Sequence, residues 1–375
     1  MPQLAPLQSA QLATIATPAL IIDGQKVDRN LRRMADYARR HQLQLRPHTK
    51  THKSLFLAAK QLEAGPCAGL TVAKVGEAEV LKSATNSIMI AYPTVDRART
   101  DAIAELAHSG NIVVAVDSAF AVDALSDSAS RAGSTVGVLV DLDVGFHRTG
   151  LQTVEQSLDL AQHIDRASGL ALNGLFIYPG HVTGSTEQRH AAMSRVAELV
   201  DDAHHRWQQA GLAMPIVSGG TTPSAFDSHL VPHTTEIRPG TYIFNDLNIW
   251  RGGYCELDDC AATIVATVVS NAVPGKVILD AGSKTLTSDR CGPAPDSGHG
   301  YIVEHPEAMI GRLTEEHAEV DISRCEAHPR LGERVTIVPN HICPCVNLQT
   351  QIWFREASDS EELQAICVDA RGRLS

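Results

Sequence analysis

From about residue 18 to about residue 250 the chain repeats one pattern, short β-branched runs separated by stretches whose apolar residues recur with helical spacing. That alternation is the signature of a parallel sheet, because each return to the same sheet edge needs a crossover long enough to hold a helix. The strand candidates are Ala19–Asp23, Leu43–Pro47, Gly69–Ala73, Ser87–Tyr92, Ile112–Asp117, Val136–Val144, Leu172–Tyr178, Pro215–Ser218 and Glu236–Phe244. They number one more than a closed barrel needs, so the spacing predicts an α/β fold, a parallel (β/α)8 TIM-type barrel preceded by a leading strand. Two intervening segments read as helices. In Val27–Arg40 the apolar Val27, Leu31, Met34 and Ala38 share one face while Arg29, Arg32, Arg33 and Arg39 face water. Lys53–Ala64 repeats this with Leu55, Ala58, Ala59 and Leu62, and Gly65 stands where a left-handed cap would stop it.

After about residue 255 the rhythm changes. Strand-like runs at Cys260–Ser270, Val277–Asp280, Arg334–Pro339 and Gln351–Phe354 are joined by Gly, Pro and Asp turns with little helix between them. A second, smaller and mostly antiparallel β-domain is expected there, of roughly 120 residues, within the usual domain range. The division predicted is 18–254 for the barrel and 255–375 for the β-domain, with residues 1–17 packing on the latter.

Composition narrows the function classes. A chain of 375 residues that is 43% apolar and 20% charged is ordinary globular protein. Its formal charge of −11, with no basic block, repels nucleic acid and anionic membrane alike. The 8 cysteines are scattered, which suits a reducing compartment. The first residues show no leader pattern, and no run approaches the ~20 apolar residues of a membrane span, so a cytoplasmic protein is expected.

Three segments can carry chemistry. Arg46-Pro47-His48-Thr49-Lys50-Thr51-His52-Lys53 falls between a strand and a helix, where a barrel keeps its catalytic groups. Lys50, flanked by the cationic Arg46 and Lys53, is placed to act as a nucleophilic amine; a solvated basic turn is the alternative. Ser218-Gly219-Gly220-Thr221 suits a phosphate, since adjacent glycines let the backbone wrap an anion, although an ordinary turn has the same composition. If His341-Ile342-Cys343 is extended, positions i and i+2 point to one side, and an imidazole with a thiolate favours zinc; the alternative is a core cysteine beside an unrelated histidine. Tyr178 and Arg148 fall at strand C-terminal ends, and Arg148 could equally pair with Asp141 or Asp143.

With these motifs in order, the chain resembles the D-threonine aldolase/D-serine dehydratase family, whose members have the alanine-racemase-like, fold-type III pyridoxal 5′-phosphate (PLP) architecture. The resemblance runs through Thr17–Leu20, Arg46–Lys53, Asp143–Gly145, Tyr178, Ser218–Thr221, Arg238–Tyr242, Leu279–Lys284 and Pro339–His341. It implies that Lys50 is the Schiff-base lysine, that Gly219, Gly220 and Thr221 form the phosphate cup, beside which the loop reading adds Ser218, that Tyr178 contacts the cofactor, and that Arg148 lies beside its ring. His341 matches a metal-binding histidine. The resemblance implies His-x-Asp in the aldolases and His-x-Cys with zinc in eukaryotic-type D-serine dehydratases; here the residue is Cys343. A PLP- and divalent-metal-dependent lyase of D-3-hydroxy amino acids follows, with D-serine dehydration to pyruvate and ammonia preferred. Retro-aldol cleavage of D-threonine, with His181 as base, is the alternative; a racemase or a non-catalytic PLP carrier would need no metal. Manganese or magnesium could replace zinc, and a homodimer is expected because a partner subunit often closes the barrel-top site in this fold type.

Overall fold

The computed structural model describes residues 14–357 and 362–375. Its strands are β1 (Ala19–Asp23), β2 (Gln44–Leu45), β3 (Leu70–Val72), β4 (Ser87–Ile90), β5 (Asn111–Val116), β6 (Val136–Leu142), β7 (Leu170–Ile177), β8 (Ile216–Gly219), β9 (Glu236–Ile237), β10 (Ala262–Ser270), β11 (Lys276–Leu279), β12 (Tyr301–Ile302), β13 (Met309–Leu313), β14 (Ala318–Asp321), β15 (Arg334–Val338), β16 (Gln351–Arg355) and β17 (Gln364–Cys367). They divide between two compact units. One comprises Arg33–Lys50, Leu57–Gly240 and Gly372–Ser375; the other comprises Thr51–Phe56, Thr241–Arg371 and the described part of Met1–Arg32. No helix among the described residues is long and apolar enough to cross a membrane.

The first unit is the parallel barrel. Its ladder runs β2-β9-β8-β7-β6-β5-β4-β3, and bridges from Leu45 to Cys67 and from His48 to Thr71 close β2 onto the β3 side. β6 is buried along its whole length, as parallel strands covered on both faces must be. Met89, Val113, Ala115, Leu139 and Phe176 form one apolar cluster of the barrel. The helix Gly24–Arg40 buries Val27, Leu31, Met34 and Ala38 as its spacing predicts. The helix Leu55–Ala64 instead buries Leu57, Ala58 and Gln61. Gly65 is not a left-handed cap. It is small because Ala35 passes close by, and a Cβ on Gly65 would lie 2.7 Å from the Ala35 Cβ.

A buried ionic network crosses the barrel. Arg46 Nε donates to both oxygens of Glu236 at 2.9 Å, each side chain being only 4% exposed. Ser218 Oγ donates to Glu236 at 2.6 Å and accepts from Arg238, whose other amino group donates to the Ile177 carbonyl at 2.8 Å. Arg238 also lies over the Phe176 ring at 3.8 Å, and burial draws its pKa down to about 10 against the pull of Glu236 and Asp141. Arg46 Nη1 reaches Ser87 Oγ at 2.9 Å, tying β4 in as well.

The second unit is a sheet ordered β13-β14-β11-β10-β1-β16-β17, with β15 also on β10 and β12 on β15. Its pairings are antiparallel except that of β1 with β16. Ala19–Asp23, grouped by the sequence pattern with the barrel, therefore belongs to this sheet. It is buried throughout, and its one charge, Asp23, is met by Arg355 of β16 at 2.9 Å. An all-apolar run bounded by helix is the same pattern whether its neighbours are parallel or antiparallel, so periodicity could not assign it. Of the segment expected to pack here, residues 1–13 lie outside the described residues. Thr17 does so, with Oγ1 donating to Asp280 at 2.6 Å, and the Ile15 carbonyl accepts from Arg334 at 2.7 Å.

Glu236 is the only carboxylate paired with Arg46 and hydrogen-bonded to Ser218 among the described residues, so Glu236→Gln leaves the buried Arg46 without its counter-charge. Removing one partner of a buried pair costs about 3–5 kcal/mol. A denaturant midpoint shifted by that amount is expected; a shift close to zero would show that the network does not brace the barrel.

Candidate functional site

Residues at the C-terminal ends of barrel strands converge on one face, and catalytic groups gather there. After β2, every residue from Arg46 to Ser54 is buried except Lys50, which is exposed. This is not a solvated basic turn. The expected cationic surroundings of Lys50 are also not found: Arg46 is neutralised by Glu236, and Lys53 donates to Asn347 at 2.8 Å. Thr49 Oγ1 bonds the Thr71 carbonyl at 3.0 Å and Lys50 N bonds His48 Nδ1 at 3.4 Å, which anchors the backbone beneath the free amine.

The neighbouring strand ends carry the other candidates. Beyond β6, Asp143 Oδ1 accepts from the backbone N–H groups of Gly145, Phe146 and His147 at 2.9–3.0 Å, and Oδ2 meets His147 Nδ1 at 2.7 Å. Burial opposes that charge, but the donors outweigh it and bring the Asp143 pKa to about 2. Its oxygens are thus committed to the loop. Arg148 instead lies over Tyr178, 4.4 Å from the ring centroid, with Phe146 edge-on to the same ring. His181, three residues past Tyr178, leaves Nδ1 buried without a partner, and burial lowers its pKa. Its ring stands where a Gly145 side chain would be, 3.1 Å from an added Cβ, so Gly145 makes room for it.

Beyond β8, Gly220 has φ +80°, a left-handed turn that glycine adopts without strain and that suits backbone capture of an anion. A Cβ there would also come within 3.0 Å of Ile237. Thr221 Oγ1 bonds Ser224 Oγ at 2.9 Å. Ser218, expected to add a donor to this cup, turns its hydroxyl into the barrel toward Glu236 and Arg238, because residues alternate sides along a strand. The exposed amine, the left-handed glycine turn and the orphaned imidazole nitrogen are features that PLP would fit.

The second unit holds a different group. His341 is extended but Ile342–Leu348 is helical, so the expected extended His-x-Cys segment is corrected. Cys343 nonetheless lies in the first helical turn, two residues after His341, its Sγ 3.3 Å from Thr51 Oγ1 and 3.7 Å from Thr241 Oγ1. Asp246 causes the bend. Its carboxylate accepts from Ile342 N at 3.0 Å and from Ile249 N at 3.1 Å, capping two helices at once. Burial raises Asp246 to about 6. Asp289 Oδ2 meets His341 Nδ1 at 2.7 Å. Burial favours a neutral imidazole, but Cys343 and Asp289 outweigh it and raise His341 to about 9. Burial likewise opposes a Cys343 thiolate, and His341 outweighs it to lower that pKa. An imidazole and a thiolate on one helix turn are a donor set that a divalent cation fits by taking the place of their protons. Cys345 donates to the His341 and Leu286 carbonyls instead.

Comparison with known proteins agrees with this architecture. The alanine racemase N-terminal domain model matches residues 22–247 and a putative serine dehydratase domain model matches residues 261–354. A D-threonine aldolase of Arthrobacter sp. is 32% identical over 90% of this chain and 88% of its own length. A D-threo-3-hydroxyaspartate dehydratase of Delftia sp. is 32% identical over 88% and 92% respectively. The crystal structure of D-threonine aldolase from Filomicrobium marinum superposes with a TM-score of 0.89 at 31% identity, covering 97% of this chain and 98% of that one. A cysteine-to-alanine variant of a D-threo-3-hydroxyaspartate dehydratase, in a metal-free form, gives 0.87 at 28%, covering 96% and 98%. Barrel, β-domain and matches together define a fold-type III PLP enzyme. Within that class the chain belongs to the D-threonine aldolase/D-serine dehydratase family and is a PLP-dependent lyase.

Asp246, Asp289, Glu236 and Arg238 were not singled out as site-forming by the sequence. No motif spacing links them to the residues they hold, which lie up to 190 positions away. In metal-free protein, the lowered Cys343 pKa predicts alkylation that persists as pH falls below the ordinary thiol range. His341→Ala should move its onset to higher pH, because the cation that favours the thiolate is gone. Cys343→Ser supplies the background from the other cysteines, and an unmoved onset would show that the two groups are not coupled.

Proposed function

We propose that this lyase eliminates water from D-3-hydroxy amino acids, with PLP on Lys50 and a divalent cation, zinc for this donor set, on His341 and Cys343. D-Serine is the simplest such substrate. Loss of water and release of aminoacrylate, followed by hydrolysis, gives pyruvate and ammonia. The observation that carries the proposal is the placing of His341 as the N-cap and Cys343 in the first turn of the same helix, a nitrogen–sulfur pair that suits zinc better than magnesium or calcium. The metal-free form of the related dehydratase's cysteine variant supports a metal in such a site.

When bound, PLP supplies an electron sink for charge at Cα, and the cation supplies Lewis acidity at the β-hydroxyl. The protein does the rest. Lys50 offers the one exposed side chain of its buried loop to carry the cofactor, and its released amine can take the α-proton. The Gly219–Thr221 turn holds the phosphate, while Tyr178 and the Arg148 guanidinium stacked on it flank the ring. His181, kept neutral by burial, is a second base; in the aldol direction it takes the β-hydroxyl proton. That direction, yielding glycine and an aldehyde, is the second reading, favoured by the likeness to D-threonine aldolases. A homodimer belongs to the same proposal, and sedimentation of a fully active monomer would refute it.

Keto acid, ammonia and glycine should be measured from D-serine, D-threonine and D-threo-3-hydroxyaspartate, with and without chelator. Keto acid with stoichiometric ammonia, lost on chelation and restored by zinc, is expected; glycine in place of keto acid would overturn dehydration in favour of aldol cleavage. Lys50→Ala should lose the cofactor's visible absorbance along with turnover. Gly220→Val, forced into a conformation that costs an L-residue about 1–2 kcal/mol, should weaken PLP binding by about tenfold. Unchanged PLP affinity in folded Gly220→Val would remove the phosphate role from this turn.

A further inference from the structure

We infer that Asp289 is the positioning residue for His341, its carboxylate holding the Nδ1–H so that Nε2 is the ring nitrogen presented with Cys343 to a divalent cation. The inference rests on the metal reading proposed above. Asp289 Oδ2 stands 2.7 Å from His341 Nδ1, and a carboxylate at that distance keeps the proton on Nδ1 and leaves the Nε2 lone pair outward. The backbone that carries the carboxylate is itself fixed. Asn340, the residue before His341, is 2% exposed, and its Nδ2 donates to the Asp289 carbonyl at 3.0 Å and to the Gly298 carbonyl at 2.9 Å. Asp289 N donates to Thr287 Oγ1 at 3.3 Å. The side chain of residue 340 thus holds the backbone of 289, and the side chain of 289 holds that of 341.

Magnitude separates this role from a merely structural one. The His341 and Asp289 side chains are 40% and 48% exposed, and pairs that open to solvent contribute little to folding. A carboxylate behind a metal-binding histidine, by contrast, typically changes metal affinity 10–100-fold. Removing Asp289 should therefore leave the fold in place and strip affinity from the site.

The experiment titrates metal-free, PLP-loaded full-length protein with zinc against a competing chelator, and with cobalt(II) to follow the thiolate-to-cobalt absorption of Cys343. Asp289→Ala should weaken zinc binding about 10–100-fold while keeping the cobalt–thiolate band at saturation, the PLP absorbance and the thermal midpoint. Asp289→Asn should fall between Asp289→Ala and the unsubstituted protein, because an amide oxygen still accepts the Nδ1–H without the charge; it also serves if the alanine variant folds poorly. His341→Ala is the reference. If His341→Ala binds zinc as before, the metal reading itself fails. If only His341→Ala loses zinc while Asp289→Ala binds within twofold of the unsubstituted protein, the site stands and the role of Asp289 falls. Loss in Asp289→Ala equal to that in His341→Ala would make Asp289 a direct ligand and overturn the positioning role.

Discussion

The ion pair between Arg46 and Glu236, extended through Ser218 to Arg238, is the interaction on which the barrel face depends. It joins the ends of β2, β9, β8 and β7, and on three of these strands a residue it holds lies close in sequence to one proposed to have a chemical role. Arg46 precedes Lys50 by four positions, Ser218 immediately precedes Gly219, and the Ile177 carbonyl held by Arg238 immediately precedes Tyr178. Buried charges are costly unless each is paired and hydrogen-bonded, so the network has few alternative arrangements. That is how two-residue strands such as β2 and β9 can hold loop residues to a fixed geometry.

The second unit solves a similar problem with carboxylates. Asp246 supplies one oxygen to each of two helix starts, which ends the β15 extension and turns Cys343 onto the same side as His341. Asp289 and Asn340 then fix the imidazole and its loop to each other. The short helix and its caps do what an extended i, i+2 segment was expected to do, by a different local geometry. An isolated His-x-Cys pair has no fixed separation in an unfolded chain, and the caps give it one.

The same pair of sites bears on the choice between elimination and aldol cleavage. Both reactions develop charge at Cα beside a β-hydroxyl, so on the reading proposed above both would use the same lysine, phosphate turn and cation. What differs is which bond lies in line with the electron sink and which base is near the hydroxyl. His181, with one buried nitrogen free of partners, is the base on which that difference would turn under the proposed reading. Proteins of either activity can therefore share this architecture closely, as the aldolase and dehydratase relatives do.

The sequence by itself determined the parallel barrel, the change to an antiparallel region and the position of Lys50 on a strand-to-helix loop. Those follow from the period of apolar residues and from local order along the chain, which are one-dimensional properties. It also determined the Gly219–Gly220 turn and the His341/Cys343 donor types, since these are set by residue identity. Only tertiary structure decided that Ala19–Asp23 joins the second sheet, because a buried strand carries no mark of its neighbours. It decided that Ser218 faces inward and that Arg46 is neutralised, because both depend on Glu236 arriving from a distant strand. It decided, too, that His341 and Cys343 meet across a helix start, because the carboxylates that shape that turn, Asp246 and Asp289, lie 96 and 52 residues from their partners and come beside them only when the chain folds.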